Sequence, residues 1–369
     1  MTDFEVPQSW AEARPLLRPV LRPMTYRGTV PAAVQPLGRT VLPFVDELVA
    51  VDLPDRRSIV NDDHRAAWGV SVDEVFEAAL ANLSAMAQLP ELEADSVLHF
   101  ADDGDGYFTS WLLVPGWLAS FRAGYGRRPV AFLPDVDTLI VAPDDPEMIG
   151  SLFEMIEEQY GESERPLSPQ AYTVDDDGRV VPFDQAGPHE QLPAARRARC
   201  GLAVTEYAAQ TEWLNEILEE DFDFESLDAE LADSSSAYVA SLMYYDPGDG
   251  PRTITAWGEG VDYLLPEADL VVFCDTDDNG EERTLFDAPF AHVVEILGLT
   301  PVPGLAPARY EIRSWPEPEQ LRRIEQASNS QILWIGSRQA TSDTGVSGEG
   351  SGVMSTGRSR SLPLWNTAP

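Results

Sequence analysis

Two pairs of carboxylates occupy matching places in this chain: Asp135 and Asp137 within Leu133-Pro134-Asp135-Val136-Asp137, and Glu267 and Asp269 within Leu265-Pro266-Glu267-Ala268-Asp269. Alternate residues of an extended strand share a face, so each pair is placed to offer two hard oxygen ligands to one metal ion or one substrate. A plainer role suits the same residues. An acid beside proline ends a strand by accepting from loop amides, and a repeated fold repeats such acids as readily as catalytic ones.

A third acidic run, Asp275-x-Asp277-x-Asn279-Gly280, matches the first half of a calcium-binding loop, but its twelfth position is Phe286 where a bidentate glutamate is needed. A turn at Asn279-Gly280 between two strands accounts for these residues equally. The four histidines, His64, His99, His189 and His292, show no His-x-x-x-His spacing, and neither a Gly-x-Ser-x-Gly elbow nor a Gly-x-Gly-x-x-Gly loop occurs. All basic side chains apart from histidine are arginine, which removes a P-loop lysine and Schiff-base chemistry. Cys200 and Cys274 share no metal or redox spacing. Ser110 and Ser241 recur at equivalent places, as packed positions of a duplicated fold would. The expectation is no catalytic residue and no cofactor.

The elements that must position these groups repeat as well. Tyr107 and Ser110 return as Tyr238 and Ser241, and Leu167-x-Pro169-x-x-Tyr172-x-Val174 returns as Leu305-x-Pro307-x-x-Tyr310-x-Ile312, with the carboxylate pairs between. Three patterns in one order predict a duplicated unit. The expected class is α+β, with a first unit over 43–185 and a second over 203–336, each a small mixed sheet covered by helices. Residues 186–202 read as a linker. Residues 1–42, with Arg14-Pro15, Arg18-Pro19 and Arg22-Pro23, read as an extended arm, because each proline pushes the residue before it out of the helical region. Ser71 with Glu74 forms a capping box for a helix to about Met86, and Asp145-Pro146 opens another. Hairpins are expected at Asp175–Gly178 and Pro247–Gly250. Tyr107–Gly126, with Trp111 and Trp117, should be core or should line an apolar pocket. Residues 337–369, mostly Ser, Gly and Thr, offer little to bury and are expected to be disordered.

Charge limits the partners. The 369-residue chain carries 63 acids against 25 arginines, a formal net charge of −38, which repels nucleic-acid backbones and anionic membranes. Between residues 201 and 290 there are 23 acids and two arginines. Within that stretch Glu219-Glu220-Asp221-Phe222-Asp223-Phe224-Glu225 interleaves acids with phenylalanines, as a docking segment for a basic partner does, and as a solvated acidic face also does. The longest apolar segment, Phe108–Phe121, is broken by Pro115 and too short to span a bilayer. Sparse cysteine and no leader pattern suggest a cytoplasmic protein.

Ala78-Ala79-Leu80-Ala81-Asn82-Leu83, Phe100-Ala101-Asp102, Gly106-Tyr107-x-x-Ser110-x-Leu112 and Leu133-Pro134-x-x-Asp137-x-Leu139-Ile140 together resemble the YtpQ-like family of bacterial proteins. An Asp-Gly turn before Val180-Val181-Pro182 fits as well. The likeness covers about residues 43–185, lacks that family's N-terminal half, and adds a second unit. The family's function is unknown, so the resemblance implies a cytoplasmic α/β unit and assigns no site residue. The leading expectation is a non-catalytic interaction protein of adaptor, inhibitor or immunity type whose acidic second unit holds a basic protein. The alternatives are a metal-assisted hydrolase using the carboxylate pairs and a small-molecule sensor using Tyr107, Trp111 and Trp117.

Overall fold

A computed structural model describes residues 6–28, 35–89, 93–102, 104–219, 238–248, 250–276 and 282–328, and they fall within a single compact unit. The fold is α+β, with several small sheets and helices between them.

The arginine–proline segment supplies an extended strand of the first sheet. Leu17, Val20 and Leu21 are buried, and this apolar run draws the segment into the first sheet. That sheet comprises β1 (Leu17–Pro23), β2 (Gly38–Leu42), β3 (Val45–Asp52) and β4 (Arg57–Ile59). All pairings are antiparallel and all run through β3. Pro19 and Pro23 donate no amide hydrogen, which is tolerated because β1 is an edge strand. After β4 come α1 (Asp62–Trp68) and α2 (Val72–Met86); Ser71 and Glu74 cap α2 reciprocally, as their spacing predicts.

The two-residue period of β3 distributes its side chains. Val49 and Val51 pack on Val75, Phe76 and Ala79 of α2, while Leu48 and Ala50 face the main core. Opposite them lies the second sheet, β5 (Leu98–Ala101), β6 (Pro129–Asp135), β7 (Thr138–Pro143), β8 (Pro166–Val174) and β9 (Val180–Pro182). Its order is β5-β7-β6-β8-β9, antiparallel throughout. Ala131, Leu133, Leu139 and Val141 face the main core, whereas Val130, Phe132 and Ile140 pack on α3 (Pro146–Glu162) through Ile149, Phe153 and Ile156. Each of the Val, Leu, Ile and Phe side chains taken out of water stabilises by about 1.5–3 kcal/mol.

Residues 192–202, within the segment expected to link two units, open a 28-residue helix, α4 (Leu192–Glu219). Ala194, Ala195 and the three following arginines are good helix formers, and burial of Ala195, Cys200, Leu202, Ala203, Tyr207 and Leu214 supplies the packing. α4 touches α3 and β8 on one side and β12 on the other, so it binds the two halves together.

The second half contributes β10 (Tyr238–Val239), β11 (Met243–Tyr245), β12 (Arg252–Gly258), β13 (Tyr263–Pro266), β14 (Leu270–Thr276), β15 (Glu282–Pro289), α5 (Phe290–Leu297), β16 (Arg309–Ile312) and α6 (Pro318–Gln326). Two mixed sheets result, β10-β13-β16 and β11-β12-β14-β15. Trp257, Phe273, Phe290, Val293 and Ile324 pack between sheet and helices. β6 pairs antiparallel with β8, and β13 with β16. The pairings then differ: β7 stays beside β6, whereas β14 lies between β12 and β15.

Candidate functional site

A cleft of about 440 Å³ opens where α4, the β2–β3 turn, the β13–β14 turn and the Pro307–Ala308 loop meet. Its framework is Tyr207. The phenol donates to the Ala308 carbonyl at 2.7 Å and accepts the Glu267 amide at 3.0 Å, so one side chain of α4 fixes both bordering loops. Burial raises the phenol's pKa, keeping it neutral. Behind it Arg309 is fully buried. Its Nε donates to Gln210 Oε1, Nη1 to the carbonyls of Ala240 and Leu264, and Nη2 to the Tyr207 carbonyl and Thr211 Oγ1. All five guanidinium donors are satisfied without a carboxylate partner, and burial lowers the pKa from 12.5 to about 10.

The rim is formed by Pro43 and Phe44, the two residues joining β2 to β3. Phe44 has φ of 60°, a left-handed conformation uncommon for residues other than glycine. Its carbonyl accepts the Met24 amide at 2.9 Å, and its ring meets Tyr207 edge to face with centroids 6.1 Å apart.

Polar groups line the opposite wall. Asp269 Oδ2 accepts from Thr253 N at 2.7 Å and Thr253 Oγ1 at 3.0 Å, leaving Oδ1 4.0 Å from Arg199 Nη2. Arg199 pairs more closely with Asp184, at 2.9 Å. The exposed Glu267 side chain makes no hydrogen bond or ion pair with another described residue. Cys200 also lines the cleft and is a free thiol; burial, reinforced by the Asp269 charge, pushes its pKa up to about 11. Two buried carboxylates stand behind the wall. Asp46 pairs with Arg27 at 2.6 Å and accepts from Thr40 at 2.8 Å, and Glu206 accepts from Thr25 N and Oγ1 at 3.0 and 2.9 Å.

The other pair of acids lies elsewhere. Asp135 Oδ1 accepts the Asp137 amide at 2.8 Å, closing the β6–β7 turn, and Asp137 Oδ1 meets Arg165 at 3.1 Å. Among the described residues no three His, Cys, Asp or Glu side chains gather as a metal site, so the two pairs do not form one. Asp275 is held by Arg283 through two bonds of 3.0 and 2.6 Å across the β14–β15 ladder. Asp277 and Asn279 fall outside the described residues. So do Glu220, Asp221, Phe222, Asp223, Phe224 and Glu225, while Glu219 ends α4.

Tyr107, Trp111 and Trp117 are core residues and line no part of this cleft. Trp111 packs edge to face on Phe108 and Trp117, with Phe100 also against it. Tyr107 has φ of 53° and lies under the Arg57 guanidinium, 4.0 Å from its ring centre. Asp102 secures that bend by accepting the amides of Gly104, Gly106 and Tyr107. Phe44, Arg199, Thr253 and Arg309 carry no motif and escape sequence reasoning, because only the tertiary fold brings their segments together.

No protein-family model matches the chain, and no curated protein or solved structure matches it either.

Proposed function

We propose that this chain is a non-catalytic interaction protein that holds a basic partner protein through the carboxylate-rich surface of its second half. The observation that carries this reading is how few cations the second half holds: between residues 201 and 290 there are 23 acids and two arginines. Paired acids occur in both halves, Asp46, Glu47 and Asp102 in the first and Asp275, Glu311 and Glu319 in the second. From α4 onward the exposed Glu212, Glu216, Asp246, Glu259, Asp262 and Glu267 form no ion pair with a described residue. Such uncompensated charge raises the association rate and selects partners of opposite sign.

Resemblance of residues 43–185 to the YtpQ-like family remains part of this proposal and accounts for the scaffold rather than the surface. Its motif residues serve structure: Asn82 donates to the carbonyls of Arg14 and Leu17, tying α2 to the start of β1.

The test is co-purification of the tagged chain from its source at low and high salt, followed by binding of the purified partner to the chain and to a Glu212→Gln, Glu216→Gln, Glu259→Gln, Asp262→Asn variant. A stoichiometric basic protein released by salt and not held by the variant supports the reading. Binding that survives both changes, or the absence of any partner, refutes it.

A further inference from the structure

We propose that the cleft between Phe44 and the Glu267–Asp269 turn receives an arginine side chain of that basic partner, an inference that rests on the acidic-surface reading above. Its volume of about 440 Å³ lies within the range of about 300–1,000 Å³ usual for ligand sites. Met24, Pro43, Phe44, Ala203, Ala268 and Pro307 provide apolar walls, which suit the methylene stem of a long side chain whose charged head stays polar.

The acceptors suit a guanidinium. Glu267 and Asp269 stand two residues apart on one turn. The Glu267 carboxylate is engaged by no other described residue, and Asp269 commits Oδ2 to Thr253 while Oδ1, 4.0 Å from Arg199 Nη2, keeps acceptor capacity. A planar fork of donors meets two such acceptors better than the point charge of an ammonium. Of the nearby cations, Arg199 is paired with Asp184 and Arg27 with Asp46, and the buried Arg309, which has no carboxylate partner, offsets only one of the two charges of Glu267 and Asp269, so the cleft keeps a surplus of negative charge. The rim is also held in place. Phe44 keeps its left-handed backbone at the edge of the cleft through the Met24 hydrogen bond and the Tyr207 contact, and strain of this kind is retained where the surroundings over-determine it.

The experiment is calorimetric titration of the full chain with acetyl-Gly-Arg-Gly-amide and with its citrulline and lysine counterparts. Citrulline keeps the shape of arginine and loses the charge. The arginine peptide is expected to bind, the citrulline peptide about tenfold or more weakly, and the lysine peptide between them. Glu267→Gln is expected to lose about tenfold for the arginine peptide at an unchanged melting temperature. Equal binding of the arginine and citrulline peptides, no binding of the arginine peptide, or an undiminished Glu267→Gln variant overturns the inference. If the purified partner still binds in a salt-sensitive way, only the cleft assignment falls. If the peptides behave as expected but no basic partner binds, the docking reading falls and a guanidinium site remains.

Discussion

Arg309 and Gln210 meet across 99 residues of chain, Nε donating to Oε1 at 2.6 Å inside the fold. This bond and the four other guanidinium contacts join α4 to β13, β16 and Ala240 just after β10 without a carboxylate. The charge is instead compensated by oriented carbonyl and amide dipoles. Replacing Arg309 with methionine leaves Gln210, Thr211 and three carbonyls to find other partners in a dry site. A loss of about 3–5 kcal/mol is expected, against about 1–3 kcal/mol for Gln210→Ala. Denaturant unfolding measures both, and an Arg309→Met chain as stable as the parent would show that these contacts contribute nothing net.

Phe44 reverses the usual order of alanine and glycine. At φ of 60° an alanine keeps the backbone strain and loses the ring, whereas glycine loses the ring and relieves the strain. Phe44→Gly is therefore expected to be more stable than Phe44→Ala by about 1 kcal/mol. Thermal unfolding of the two variants decides it; an alanine variant equal to or better than glycine would contradict the strained turn.

Glu206 gives a pH dependence of known sign. Burial raises its pKa, outweighing the hydrogen bonds from Thr25, and the neighbouring Asp46 charge adds to the rise. The folded state therefore holds this proton more tightly than the unfolded state. Its contribution is fully present below the ordinary glutamate pKa and is lost as pH climbs through the raised value. Glu206→Gln keeps an acceptor for Thr25 and cannot ionise. Its stability relative to the parent should increase with pH above the ordinary carboxylate range, and unfolding free energies that differ by a constant from acid to neutral pH would count against the assignment.

Cys200 should be a slow thiol. With its pKa pushed up to about 11, roughly one molecule in a thousand carries the thiolate at pH 8. Alkylation by iodoacetamide, mapped by mass spectrometry, is expected to accelerate roughly tenfold per pH unit from 8 to 10. A rate that levels off near pH 9 would show an ordinary thiol.

Local signals made parts of the fold legible. The Ser71–Glu74 box and Asp145 before Pro146 define helix starts whose donors need those acceptors wherever the helix packs. The hairpins β8–β9 and β11–β12 follow from their turn residues. Residues 186–202 and 1–42 read as linker and arm because alanine–arginine and arginine–proline runs look self-sufficient by composition. Their few apolar side chains are buried by partners far along the chain, Ala195 in one cluster with Phe153 and Leu17 opposite Val51.

The sequence by itself determined the α+β class, the helix starts, the turn residues and the excess of acid, because each depends on neighbouring residues or on a sum over the chain. Only the tertiary structure decided which carboxylates matter together. Asp135 and Asp137 share the spacing of Glu267 and Asp269, yet the first pair closes a turn beside Arg165, and the second borders a cleft with Phe44, Cys200 and Tyr207. The physical reason is that a cleft is bounded by whatever long-range packing brings together. Spacing along the chain specifies which way a side chain points from its own strand, and not what stands opposite.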